Sequence, residues 1–174
     1  MRNVLWLCGV LLLVALPATA QSDYRHRLRF GAINEQISEN QVDFHLTGFD
    51  VRYSYGLTRH VAVAGEYGHS FGKPFDLDST RLWIVTGVQV YPYAGERAEI
   101  YGNILGGVDR LKMGEGPFSW DSSGAFKTGL GINLYPHPNF GFNIEVNYKR
   151  TWLFGEGQNT WQGAAGITIR WGER

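Results

Sequence analysis

The sequence predicts an all-β chain: eight antiparallel strands, closed up-and-down into a transmembrane β-barrel. Three observations carry this. Long stretches alternate between apolar and polar positions, the connections between them alternate between short and long, and the apolar face is bulkier than a small barrel interior can hold.

The beginning of the chain is set apart from the fold. Residues 1–20 carry Arg2, an apolar run from Val4 to Leu16, then Pro17 and the small-residue site Ala18-Thr19-Ala20. This is the pattern of a secretory signal peptide cleaved after Ala20, and the run is short for a spanning helix. The single cysteine, Cys8, follows Leu7 rather than a small residue, so it does not mark an acylation site. One domain is then expected over residues 21–174, free of cysteine and hence of disulfides and thiolate chemistry. Its charges nearly balance, with no basic excess to suggest nucleic acid as a partner. With 23 glycines and 14% aromatic residues, the composition suits strands and turns.

The strands follow in order. Residues 25–34 place Leu28 and Phe30 on one parity and Arg27 and Arg29 on the other. Residues 46–56 oppose Phe49, Val51, Tyr53 and Tyr55 to Asp50 and Arg52, and residues 60–70 oppose Val61, Val63 and Tyr67 to Glu66. In 80–91, Leu82, Ile84, Val88 and Val90 alternate with Arg81; in 98–110, Ile100, Ile104 and Val108 alternate with Glu99 and Asp109. Residues 124–135 set Phe126, Leu130, Ile132 and Leu134 against Lys127. Residues 139–152 set Phe140, Phe142, Ile144, Val146 and Tyr148 against Glu145 and Lys149. The last strand, 160–171, has Trp161, Ile167, Ile169 and Trp171 opposite Arg170. These spans exceed the usual soluble strand of about five or six residues and reach the roughly nine to eleven that a tilted strand needs to cross a bilayer.

Short connections are expected near Leu57–Arg59, Pro92–Arg97 and Pro136–Pro138, where prolines stop strands. Longer loops are expected near Glu35–His45, Phe71–Ser79, Leu111–Ser123 and Leu153–Asn159. Tight turns at one end and long loops at the other describe a meander that can close.

Alternation alone also fits a soluble lipocalin-like barrel with its apolar face inward. Volume separates the two, because an eight-stranded interior is just filled by side chains. The glycine-rich polar face fits that space and the bulky apolar face does not. Aromatic placement agrees: Tyr53, Tyr55, Tyr91, Tyr135, Phe140 and Trp171 lie near the tight turns, and Trp152 and Trp161 near the long loops, with Tyr148 close to them. Two such belts around an Ile/Val/Leu band are expected at lipid interfaces.

Several stretches carry a family resemblance: the hairpin "FDVRYSYGLTRHVAVAGEYGH", the segment "EIYGNILGGVDRLKMG", the pair "GAFKTGLGINLYPHPNFGFNIEVNYKRTWLF" and the closing "GAAGITIRW". Through them the chain resembles the small eight-stranded outer-membrane β-barrels of bacteria, the OmpA/OmpX-like group. The resemblance implies residence in the outer membrane as a monomer, with lipid and lipopolysaccharide around the barrel. It also implies recognition by the barrel-assembly machinery through a terminal-strand signal, matched in spacing by Gly166, Ile169 and Trp171. Ala164 and the trailing "GER" depart from that signal.

The polar face yields the candidate site. Arg27, Arg29, Arg52, Arg81, Lys127 and Arg170 can oppose Asp50, Glu66, Glu99, Asp109 and Glu145. Charges of both signs in so narrow a lumen are expected to pair and plug it. The alternatives are a narrow ion-conducting pore, a membrane-embedded lipid-modifying enzyme and the soluble lipid-binding barrel. The resemblance includes lipid A deacylases with a His-x-Ser pair on the penultimate strand, but here Asn147 and Lys149 occupy those places. His26, His45, His60, His69 and His137 are scattered, and "DLD" at Asp76 and Asp78 is a thin basis for a metal. No catalytic residue, metal or cofactor is expected. The expected role is structural or in surface contact, through loops such as Lys112–Asp121 with Phe118 and Trp120.

Overall fold

A strand with alternating faces directs its backbone N–H and C=O groups sideways, and every one of them needs a partner where water is absent. The chain meets that demand by closing. The computed structural model describes residues 24–39, 42–74, 77–114, 120–155 and 157–173. Residues 1–23, where the signal peptide is expected, Asp76 and Phe118 lie outside the described residues.

The strands are β1 (Tyr24–Glu39), β2 (Val42–Gly56), β3 (Val61–Gly72), β4 (Ser79–Ala94), β5 (Ala98–Met113), β6 (Trp120–His137), β7 (Phe140–Thr151) and β8 (Gln158–Glu173). Each pairs antiparallel with its sequence neighbours, and β8 returns to β1 with Leu28 opposite Ile169 and Gly31 opposite Gly166. The result is a closed eight-stranded barrel. The ends of β1 and β8 lie at the same end as the tight connections 57–60, 95–97 and 138–139.

The bulky apolar face points outward. Leu130 is 70% exposed, Ile104 61% and Ile144 58%, while the charged parity is buried. A soluble lipocalin-like barrel would have the opposite arrangement, so that alternative is overturned. On β7 the outward band runs from Phe140 through Ile144 to Tyr148 before Arg150 interrupts it. That length matches the roughly nine to eleven residues of a tilted crossing.

The structure corrects three expectations. First, Glu35–His45 is mostly strand: Glu35 pairs with Leu46 and Ile37 with Phe44. The reason is a reversal of polarity. Beyond the apolar band, Ile37, Phe44 and Leu46 turn inward and form their own cluster, while Asn34, Gln36 and His45 face out. The rim of the barrel therefore follows the rule of a water-soluble sheet.

Second, Pro92 and Pro136 do not stop strands; they sit inside β4 and β6 at register shifts between Val90 and Tyr93 and between Leu134 and His137. A bulge frees the position from the hydrogen-bond ladder, so proline's missing N–H costs nothing there.

Third, Tyr91 and Tyr135 are not interface aromatics. They share the parity of Gln89 and Asn133 and are buried in the lumen at 2% and 4% exposure. Of the other aromatics assigned to the interface, Tyr53, Phe140, Trp152, Trp161 and Trp171 are exposed on the outside, and Tyr55 and Tyr148 are half-buried there.

The outward band generates a direct test. Ile144→Arg places a charge at the middle of the β7 band and should cost about 2–4 kcal/mol of folding into lipid vesicles. Urea titration followed by the folded-band gel shift measures it, and an unchanged midpoint would contradict lipid contact at this position.

Candidate functional site

The inward parity builds the lumen in layers. Nearest the tight turns, Glu99 accepts from Arg27 Nε at 3.0 Å and Nη2 at 2.9 Å, from Asn133 Nδ2 at 3.1 Å and from the Tyr135 hydroxyl at 3.0 Å. Arg170 Nη1 reaches the same carboxylate at 3.3 Å, and its Nε donates to the Pro138 carbonyl at 2.6 Å. The tyrosines that left the interface serve here as plates: Arg27 lies 4.5 Å from the Tyr91 ring centroid and Arg170 3.6 Å from that of Tyr135.

The next layer is a continuous network. Glu145 accepts from Arg52 Nη1 and Nη2, each at 2.6 Å, and also pairs with Arg29 and the Tyr101 hydroxyl. Arg29 also pairs with Asp50. Glu66 takes Arg52 Nε at 2.8 Å, Trp83 Nε1 at 2.8 Å and the Lys127 ammonium. One guanidinium therefore bridges β3 and β7 across the lumen. Isolated ions in such a place would be prohibitive, whereas paired and hydrogen-bonded ones are tolerated.

Above this, Ile33, Val85 and Leu105 cluster around Trp83, so the lumen also carries an apolar layer. The space for that indole comes from Gly68, its register partner on β3, where any Cβ would overlap the ring. Tyr101 stands over Gly131 in the same way. Such cross-strand pairs of glycine with an aromatic ring fill the lumen without crowding it.

Toward the far end, Arg81 Nε lies 3.0 Å from both oxygens of Asp109, and its terminal nitrogens donate to Thr160 at 3.0 Å and Thr151 at 3.2 Å. Lys149 Nζ stands 2.9 Å from Glu35 Oε1 and 3.1 Å from Asp109 Oδ2, at ion-pair distance but without hydrogen-bond alignment. It also sits 3.9 Å from the Trp83 ring centroid.

All eleven charged residues assigned to the lumen from the sequence are thus buried and in ion pairs. Glu35 was missed because the stretch from Glu35 to His45 reads as a loop. Continuing the parity of Arg27 and Arg29 by two residues at a time would have found it. Asn147 and Lys149 also point inward, leaving Val146 and Tyr148 as their outward neighbours. Glu66 and His69 lie on opposite faces. Gly166 packs against β1, where a Cβ would overlap the Phe30 carbonyl, and Ile169 and Trp171 face outward on β8. Among the described residues no group of three His, Cys, Asp or Glu could hold a metal.

Known structures share this architecture. Neisserial surface protein A superposes with a TM-score of 0.74 at 12% identity, over 84% of this chain and 97% of that one. The chain has the fold of the small outer-membrane β-barrels. Ail, the attachment invasion locus protein of Yersinia pestis, matches with a TM-score of 0.58 at 21% identity, covering 84% of this chain and 99% of its own. OprG of Pseudomonas aeruginosa gives 0.55 at 12% identity, over 89% and 99%. No family model matches the barrel's sequence, and no curated protein does.

The network sets a graded expectation for this barrel. Glu145→Gln leaves two buried guanidiniums short of a counter-charge and should lower folding stability by about 3–5 kcal/mol. Lys73→Ala removes an exposed pair with Asp78 and should change it by less than about 1 kcal/mol. Urea titrations of both variants in the same vesicles read the contrast, and equal effects would contradict a structural lumen network.

Proposed function

We propose that the chain is an integral outer-membrane protein, exported through a signal peptide at residues 1–20, whose closed barrel has a structural and surface-contact role. The observation that carries this reading is the lumen itself. Glu66, Glu99, Asp109 and Glu145 each meet at least one guanidinium or ammonium, and an apolar layer around Trp83 lies between the charged ones. A lumen filled in this way is a plug rather than a water-filled path.

The outer surface supports the lipid partners. At the far end, beyond the apolar band, Arg110 lies 5.0 Å from the Trp120 ring centroid and Arg150 5.7 Å from that of Trp152. Cations held beside indoles at this level suit the phosphates of lipopolysaccharide. Trp120, in the stretch Lys112–Asp121, is half-buried at the start of β6 and serves this rim. The outward Ile169 and Trp171, with Gly166 behind them, suit recognition of β8 by the assembly machinery. The barrel closes on itself without a partner chain, which fits a monomer.

Expression with the leader, envelope fractionation and comparison of unheated with boiled gel samples test membrane residence. The expected outcome is an outer-membrane band with heat-dependent mobility, and a soluble periplasmic protein would sink the reading. Planar-bilayer recording tests the plug, with no sustained conductance expected and steady large openings contradicting it.

A further inference from the structure

Between the two charged layers nearest the tight turns, the lumen holds a small cavity of about 10 Å³. That is room for one particle about the size of a water molecule. The character of its wall is unusual. Three arginines line it, Arg27, Arg29 and Arg52, and among the described residues no aspartate or glutamate does. Neutral groups complete it, among them Ser54, Gln89 and Thr168.

The register explains the concentration of positive charge. Arg27 and Arg29 project inward two residues apart on β1, and Arg52 is the direct partner of Arg29 on β2. Like charges directly opposite one another repel. Their carboxylates, Glu99, Asp50, Glu66 and Glu145, hold the guanidiniums from outside the cavity wall. Arg29 is 4% exposed, yet its Nε–H has no hydrogen-bond partner among the described residues. A buried donor on a cation is costly to leave unmet, and arginine cannot shed its proton to escape. Across the described lumen, seven buried cations face six buried carboxylates. The unmet Nε–H and the wider balance favour a negative occupant.

We infer that this cavity is a binding site for one small monovalent anion of halide size, held by Arg27, Arg29 and Arg52. The anion accepts from the free Nε–H and separates the three guanidiniums, locking β1 to β2 near the tight-turn end. A single negative charge matches the excess of one cation over the carboxylates, which a doubly charged sulfate would overshoot. The site goes beyond the plugged-lumen reading, since a water in the cavity would leave the lumen just as closed.

The full chain, purified from membranes in detergent, is transferred to methanesulfonate and titrated with bromide at constant ionic strength. Its unfolding temperature should rise and saturate with bromide, and not with sulfate. Crystals grown in bromide should show an anomalous peak in the cavity. Gln89→Glu tethers a carboxylate at the same wall and should abolish the bromide response; Ser54→Asp does so from β2 should the first variant fail to refold. An ordered water without an anomalous peak, a flat bromide titration, or an undiminished response in the carboxylate variant would each overturn the site. None of these outcomes bears on the plug, which conductance measures separately.

Discussion

The structure depends on one constraint: a backbone crossing hydrocarbon has to satisfy its own hydrogen bonds. Sheet edges cannot be left open there, so β8 must find β1. Closure with eight strands then fixes the size of the interior, and that size decides everything placed inside it. The largest rings among the inward positions find room where a cross-strand neighbour is glycine. Trp83 over Gly68 and Tyr101 over Gly131 are the instances where this exchange is made.

The same closure turns the charged residues from a liability into a framework. A carboxylate buried inside the barrel depends on whatever cations the facing strands supply. Glu145 on β7 is reached by Arg29 of β1 and Arg52 of β2, and Glu66 on β3 by Lys127 of β6. These contacts tie together strands that are not neighbours in the sheet, which backbone pairing cannot do. The network is therefore a cross-brace, and its worth lies in completeness: each member is tolerable only because the others are present. Tyr91 and Tyr135 extend the brace by stacking beneath Arg27 and Arg170.

Along the strands the rule for polarity changes with the surroundings. In the band, apolar residues face out because lipid is there; beyond it, Ile37, Phe44 and Leu46 face in because water surrounds the rim. β1 and β2 cross that boundary without interruption, so one pair of strands obeys both rules in turn. Arg110 and Arg150 mark the transition on β5 and β7.

The number of strands, their order, the tight-turn end and the side facing lipid were legible in the residues, because alternation with period two and bulk on one parity survive any tertiary arrangement. The lumen charges were legible for the same reason: from Arg27 to Arg170 they share the inward parity. What misled was position taken without parity, which set Tyr91 and Tyr135 at the interface. Polarity taken without its surroundings likewise turned Glu35–His45 into a loop. Only closure decided which charges meet. Arg52 contacts Glu145 from the other side of the lumen, a proximity set by barrel diameter and register rather than by spacing along the chain. By itself the sequence determined which face each residue belongs to, since that follows from local backbone geometry. The tertiary structure decided the partners, since a closed barrel brings distant strands to within a side chain's length of one another.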